Sequence, residues 1–396
     1  MPIVKSYFKL NEIYGSDYNE NNDKQCDMSA LVSAIANDIL IKEPELVVAA
    51  ASGVSGKGPL EDAIIHSTES KMQSFGFYQD ELLKRVQDFM FGYGPLQDYI
   101  DDDSVTDIDG TGFDEFSVKR GGLRSEIPVR FKDQKTFDTF CRLIIIRNGG
   151  IINANDSHCR VVDENNRLRI NVSVPPRNIT GPSISIRKHR KKCYTLKELT
   201  DLGMLTNESM DLLLYHASKD SSVLFCGKGA SGKTTLLRAF VDSLPIMERV
   251  LILESDSEIY PDKKFCIAQR IKKSNEGGRT VTLRELVADG LTMSLDTYCV
   301  GEIVGSEAWE FLKAAFSGHK CLATTHSESA EDSMDRLLTL ARPGTSGESE
   351  RVVKNMIAKG IDIVVYLKDF KVVKIMELKD YNGAEDEYIT QTVWRR

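Results

Sequence analysis

Hydrophobic residues recur at helical spacing in two stretches of the first half of the chain. Leu82, Val86 and Phe89 fall on one side of a helix over residues 79 to 91, because positions three or four apart share a helix face. The same spacing predicts a second helix over residues 134 to 147.

Short runs rich in β-forming residues predict strands around the second helix. Phe116 to Lys119 and Leu123 to Ile127 flank Arg120-Gly121-Gly122, a composition typical of a hairpin turn. Alternation over residues 167 to 174 predicts another strand, which ends before Pro175-Pro176, because proline cannot donate to a strand ladder.

The second half of the chain carries wholly apolar short runs that alternate with helical patterns. Val223 to Cys226, Val250 to Leu253 and Tyr298 to Val300 are the clearest of these runs. Strands that are apolar on both sides are typical of a parallel sheet covered by helices on both faces. We therefore predict an α/β fold for this half.

These patterns divide the chain into four segments. Residues 1 to 75 form a variable extension with a helix predicted over residues 28 to 40, and residues 76 to 185 form a smaller α/β domain. Residues 186 to 195 form a basic linker, and residues 196 to 396 form the main α/β domain.

The basic linker lies within an acidic chain. Three interpretations of it compete: a solvated connector, arginines such as Arg187 that reach a bound nucleotide, and a contact with acidic lipid or nucleic acid.

Composition restricts the class of protein further. The 396 residues have a net charge of −8, so a surface that coats nucleic acid is disfavoured. No run approaches the roughly 20 apolar residues that span a bilayer. The 8 cysteines include no Cys-x-x-Cys pair, so we expect reduced thiols, with Cys226 and Cys299 buried in strands. A cytoplasmic protein of two or three domains is expected.

One glycine-rich segment predicts nucleotide chemistry. Residues 227 to 235 match the phosphate-binding loop, with an apolar strand before them and a helical pattern after them. Lys233 would reach the β- and γ-phosphates of ATP, and the Thr234 hydroxyl would bind Mg²⁺. The predicted nucleotide-binding residues of this loop are Gly227, Gly229, Ala230, Ser231, Gly232, Lys233, Thr234 and Thr235.

Three polar groups follow strands later in the same domain. Glu254 to Glu258 follow the Val250 run, Glu302 ends the Tyr298 run in the pattern of a Walker B element, and His326 follows Thr324-Thr325. Ligands of such sheets bind beyond the carboxyl ends of the strands. We therefore expect Glu302 to help hold Mg²⁺ and the His326 imidazole to sense the γ-phosphate.

The ordered set of motifs resembles the secretion and pilus-assembly ATPases of type II and type IV systems, and within them the tight-adherence (Flp) pilus branch. The resemblance covers about residues 76 to 380. Its motifs are Phe91-Gly92-Tyr93-Gly94-Pro95-Leu96, Ser104-Val105-Thr106-Asp107-Ile108, Arg169-Ile170-Asn171-Val172, Pro175-Pro176, Ser185-Ile186-Arg187-Lys188, the phosphate loop, the acidic box ending in Glu258, Val300-Gly301-Glu302, Gly318-His319 and Thr324-Thr325-His326-Ser327.

The resemblance implies a RecA-like P-loop NTPase core with a smaller N-terminal PAS-like α/β domain, assembled as a homohexamer. It implies Glu258 as the catalytic base, with Glu302 and His326 as further catalytic residues, and Arg169 and Arg160 as cations that approach the phosphates. The implied work is pilus assembly or secretion, through an integral membrane platform protein that holds the ATPase peripherally at the inner face of the cytoplasmic membrane.

Some positions depart from the family pattern. Thr292, Ser294 and Val304 stand where arginines are usual, and Ala230 would be strained if its φ is positive. The missing arginines leave open a nucleotide-binding scaffold with little hydrolysis. A second alternative also stays open, an ATPase of conjugative or type IV secretion, because it shares this core.

Overall fold

The structure is a computed structural model that describes residues 58–72, 79–189, 193–276 and 278–396, with single positions between 32 and 46. The chain divides into two compact units, Met1–His189 (unit 1) and Arg190–Arg396 (unit 2). Most of the predicted helix over 28 to 40 lies outside the described residues, although Ile35 and Ile39 are helical and buried.

Unit 1 contains a six-stranded antiparallel sheet in the order β3-β2-β1-β6-β5-β4. Its described elements are α1 (Gly58–Met72), α2 (Gln79–Phe91), α3 (Gln97–Asp101), β1 (Val105–Gly110), β2 (Phe116–Arg120), β3 (Leu123–Ile127), α4 (Gln134–Arg147), β4 (His158–Asp163), β5 (Leu168–Ser173) and β6 (Ser183–Lys188).

Helix α4 covers one face of this sheet. It begins after Asp133, whose side chain accepts from the Thr136 N–H, and this contact satisfies a backbone donor at the helix start. Phe137, Phe140 and Ile144 of the helix are buried against the strands. Because strand residues alternate in direction, the opposite face of the sheet is left to polar side chains.

The structure contains the predicted hairpin, but part of the predicted basic linker is a strand. Gly121 and Gly122 join β2 to β3 with φ values of 56° and 85°, as that turn requires. The linker prediction is wrong for residues 186 to 188, which belong to β6 because Ile184 and Ile186 alternate into the core. Residues 190 to 192 lie outside the described part of the chain.

Unit 2 contains an eight-stranded sheet in the order β14-β13-β12-β7-β11-β10-β8-β9. The strands from β12 to β9 are parallel, and β13 and β14 are antiparallel additions. Its described elements are α5 (Leu196–Asp201), α6 (Asn207–Ala217), β7 (Val223–Gly227), α7 (Lys233–Asp242), β8 (Val250–Glu254), β9 (Cys266–Arg270), α8 (Leu283–Gly290), β10 (Thr297–Val300), α9 (Glu307–Phe316), β11 (Lys320–Thr325), α10 (Asp332–Ala341), α11 (Glu350–Gly360), β12 (Ile363–Lys368), β13 (Lys371–Asn382) and β14 (Glu387–Arg395).

Helices cover both faces of this sheet, as its apolar strands predict. Helices α5 to α7 contribute to one core cluster and α8 to α11 to the other. Thr195, Thr206 and Thr282 start three of these helices with reciprocal capping contacts. As expected, Cys226 and Cys299 are free thiols buried in β7 and β10.

None of the helices in the described ranges has the length and apolar character needed to cross a bilayer.

Candidate nucleotide-binding site

The phosphate loop connects β7 to α7, and its backbone conformation depends on small residues. Gly227 has a φ of 150°, and a Cβ there would lie 2.2 Å from the Leu367 carbonyl oxygen. Gly232 is the residue before α7 and has a φ of 93°. Ala230 has a φ of 58°, so the strain expected at this alanine is present.

Lys233 lies in the first turn of α7 with its amine folded over the loop. Its Nζ donates to the carbonyl oxygens of Gly227, at 3.0 Å, and Lys228, at 2.9 Å. Burial lowers the pKa of Lys233, and the Glu302 carboxylate opposes that change. Thr234 and Thr235 follow it in the same helical turn and are half-buried.

The acidic box begins at the carboxyl end of β8, where a buried carboxylate organises the backbone. Glu254 is only 5% exposed, and its Oε1 accepts from the backbone N–H groups of Glu258, at 3.1 Å, and Ile259, at 3.0 Å. A Cβ at Gly301 would lie 2.9 Å from Glu254 Cγ, so glycine allows the two strand ends to approach. Glu254 therefore fixes the segment that carries Glu258.

Glu302 and His326 form a direct pair. His326 Nε2 lies 2.6 Å from Glu302 Oε1, and both side chains are partly exposed. Hydrogen bonds between the strand ends set this distance: Thr324 Oγ1 donates to the Gly301 carbonyl at 2.7 Å, and Ile303 N–H donates to the Thr324 carbonyl at 2.9 Å. No local pattern in the sequence indicates that these two side chains touch.

The rim of the phosphate loop carries a second ion pair. Lys228 Nζ lies 2.7 Å from Glu328 Oε2. A cleft of about 500 Å³ beside them is also lined by Gly229, His326 and Arg336. Lys228 is thus a cation at the mouth of the loop.

Asp256 of the acidic box has its own partner. Its Oδ1 lies 2.8 Å from Lys273 Nζ, and the carboxylate is almost fully buried. Asp256 therefore pairs with a lysine of the chain.

The three predicted arginines belong to unit 1. Arg160, Arg169 and Arg187 lie on β4, β5 and β6, on the sheet face opposite the buried core. Arg169 is directly opposite Arg187 in the strand pairing, and Arg187 Nε donates to Asp107 Oδ1 at 3.2 Å. Their role toward a nucleotide stays a prediction.

The residues of the loop fit a bound triphosphate. The Ser231 hydroxyl is buried and has no hydrogen-bond partner among the described residues, so a polar partner there would satisfy it. Backbone N–H groups at the start of α7 favour an anion. Carboxylate and hydroxyl oxygens, which Mg²⁺ prefers, are supplied by Glu302 and Thr234.

Comparison with known proteins identifies a family and its relatives. The family model "Type II/IV secretion system protein" matches residues 154–368. A putative conjugal transfer protein of Mycobacterium tuberculosis is 24% identical over 323 residues, covering 79% of this chain and 91% of that protein.

Two solved structures share the fold. One is the ATPase DotB of Legionella pneumophila, with a TM-score of 0.51, 18% identity and coverage of 74% of this chain and 77% of that one. The other is the pilus retraction motor PilT with bound ADP, with a TM-score of 0.51, 16% identity and coverage of 76% of this chain and 82% of that one. The fold is thus an N-terminal domain followed by a P-loop ATPase core.

Proposed function

This chain belongs to the type II/IV secretion system protein family, and we propose that it hydrolyses Mg-ATP to drive a pilus-assembly or secretion machine. The observation that carries the proposal is the convergence of the phosphate loop, the acidic box and the Glu302–His326 pair at the carboxyl edge of one parallel sheet. An anion cradle beside several carboxylates is the arrangement that phosphoryl transfer to water requires.

Each step of this reaction is assigned to particular residues of the chain. The loop backbone and Lys233 bind the β- and γ-phosphates, because the Lys233 amine already lies over the loop carbonyls. Glu258 orients the attacking water and takes its proton, while Glu254 keeps Glu258 in place through the backbone. His326 and Glu302 are in direct contact, so the γ-phosphate and its charge act on both.

Thr234 and Glu302 would hold Mg²⁺, which neutralises charge on the phosphate oxygens when bound. Gly227, Gly229, Ala230, Ser231, Gly232 and Thr235 complete the nucleotide contacts of the loop. Arg160, Arg169 and Arg187 supply further cations for nucleotide binding or turnover.

The resemblance to secretion ATPases extends the proposal to assembly. The chain acts as a homohexamer in the cytoplasm and is held at the membrane by an integral membrane platform protein, with pilus subunits or secreted proteins as cargo. The Flp branch of this family is our specific assignment.

A second candidate function is conjugative transfer. The similarity to the M. tuberculosis putative conjugal transfer protein over most of both chains favours it. Binding of this chain to a relaxase or to pilin subunits in a pull-down would separate the two assignments.

The primary test is steady-state phosphate release from Mg-ATP at several protein concentrations, with Lys233→Ala as the comparison. A motor that works as an oligomer shows turnover that rises more than linearly with concentration and disappears in the variant. Tight ATP binding without turnover would contradict the motor and favour a nucleotide-binding scaffold.

A further inference from the structure

The hairpin between β12 and β13 places an aromatic side chain beside the phosphate loop. Its strands pair Lys368 with Lys371, so Asp369 and Phe370 form a two-residue turn. Both residues have positive φ, 49° and 58°. Turns of this kind favour glycine at the second position, yet this chain has phenylalanine there.

Phe370 is strained and exposed at the same time. A bulky side chain rarely adopts a left-handed conformation, and 60% of Phe370 is open to solvent. Burial of the ring therefore does not account for the residue. Strained residues of this kind cluster where ligands bind.

The hairpin tip and the phosphate loop share one cleft. A cleft of about 450 Å³ has loop residues from Lys228 to Ser231 on one wall and Tyr366, Lys368 and Phe370 on the other. A Cβ built at Gly232 would lie 3.3 Å from the Phe370 ring and 2.7 Å from Met204 Cε. The ring and a sulfur-bearing side chain thus both border the start of α7.

The sheet order determines which end of a nucleotide would reach this ring. Strand β7 carries the loop, with β11 and β10 on one side and β12 on the other. His326 and Glu302 follow β11 and β10, so the γ-phosphate belongs on that side. The nucleoside end must then extend away from these carboxylates, and the β12 side carries the exposed ring.

We propose that Phe370 is the base-binding residue of the ATP site, with Met204 beside it, and that it stacks on the adenine. This inference rests on the proposed nucleotide binding. Stacking on an aromatic ring needs no hydrogen-bond pattern, so any purine triphosphate satisfies it. A strained, exposed ring is already in place to receive a base, which lowers the ordering cost of binding.

The test compares a ligand that has a base with one that has none. Affinities of the full-length chain for Mg-ATP and for Mg-tripolyphosphate are measured by calorimetry, in the wild type and in Phe370→Gly. Glycine removes the ring and suits the turn, so this variant is expected to fold. ATP affinity should fall about tenfold or more, while tripolyphosphate affinity stays within about twofold.

Phe265 offers a matched control. It is also a phenylalanine with positive φ, 60°, and it is 52% exposed. It precedes β9, at the amino edge of the same sheet, away from the loop. Phe265→Gly relieves the same strain and removes the same ring, so neither affinity should change.

Each outcome is decisive. Unchanged ATP affinity in Phe370→Gly would overturn the stacking role, and an equal loss for ATP and tripolyphosphate would show that the variant disturbs the loop instead. Wild-type protein that binds neither ligand would overturn the nucleotide-binding proposal itself. In Phe370→Trp, ATP should quench the tryptophan fluorescence, and tripolyphosphate should leave it unchanged. The wild type supplies the background signal.

Discussion

The two sheets of this chain keep their polar residues in different places. In unit 1, buried Ile170 and Val172 alternate with polar residues along β5, so Arg169 lies on the sheet face opposite the core. In unit 2, every residue of β7 and β8 is buried, and polar chemistry begins only where a strand ends. Sheet faces therefore carry the candidate cations, and strand ends carry the candidate catalytic groups.

Removing the proposed base should produce the largest effect on the strand-end chemistry. Glu258→Gln keeps the shape of the side chain but cannot take a proton, so we expect phosphate release to fall about 100-fold or more while ATP binding is retained. Phosphate release and ATP affinity are measured on the same preparation. Glu385→Gln, in the β13–β14 turn, is the control, and equal turnover in Glu258→Gln would remove that residue from the mechanism.

A cation on the sheet face of unit 1 should have a smaller effect. Arg169→Ala removes one positive charge that we propose serves the nucleotide, and turnover should fall about 10- to 100-fold. Arg124→Ala is the matched control on the same sheet, because Arg124 pairs with Asp109 at 2.7 Å and has no proposed role toward the nucleotide. Similar turnover in both variants would restrict the chemistry to unit 2.

Much of this arrangement could be predicted from the sequence, because local signals specify it. The bounds of α2 and α4 follow directly from apolar spacing, and the phosphate loop follows from its glycines and lysine. The strand ends carrying Glu258, Glu302 and His326 were also found where their apolar runs stop.

Contacts that depend on the register of neighbouring strands could not be predicted. The Glu302–His326 pair requires the parallel alignment of β10 with β11, and no local pattern encodes that alignment. The Asp369-Phe370 turn was missed because turns of this kind favour glycine at the second position, where this chain has phenylalanine. The end of unit 1 was misplaced because a basic run hid the alternation of Ile184 and Ile186.

A smaller effect is expected from relieving the strain at Ala230, in the phosphate loop that follows β7. Ala230→Gly relieves the left-handed strain of about 1 kcal/mol but gives the unfolded chain more freedom, so unfolding free energy should rise by about 0.5 kcal/mol. Denaturant titration measures this change. Ala288→Gly, at an exposed position in α8, should instead lower stability by about 1 kcal/mol, and a loss at both positions would contradict the strain at Ala230.

The smallest effect is expected at a buried histidine of the covered sheet. In unit 2, burial lowers the pKa of His216, while Glu377 and Asp362 oppose that change and Lys379 adds to it. Its Nδ1 lies 3.0 Å from Ser221 Oγ. As pH falls below the unfolded-state pKa of about 6.5, the unfolded chain binds a proton that folded His216 resists, so stability present above that pH is lost. The loss is modest because the two carboxylates offset part of the pKa change that burial causes.

Denaturation midpoints at neutral and mildly acidic pH should therefore differ less in His216→Asn than in the wild type. An unchanged pH dependence in His216→Asn would mean that the covered sheet tolerates the charged imidazole.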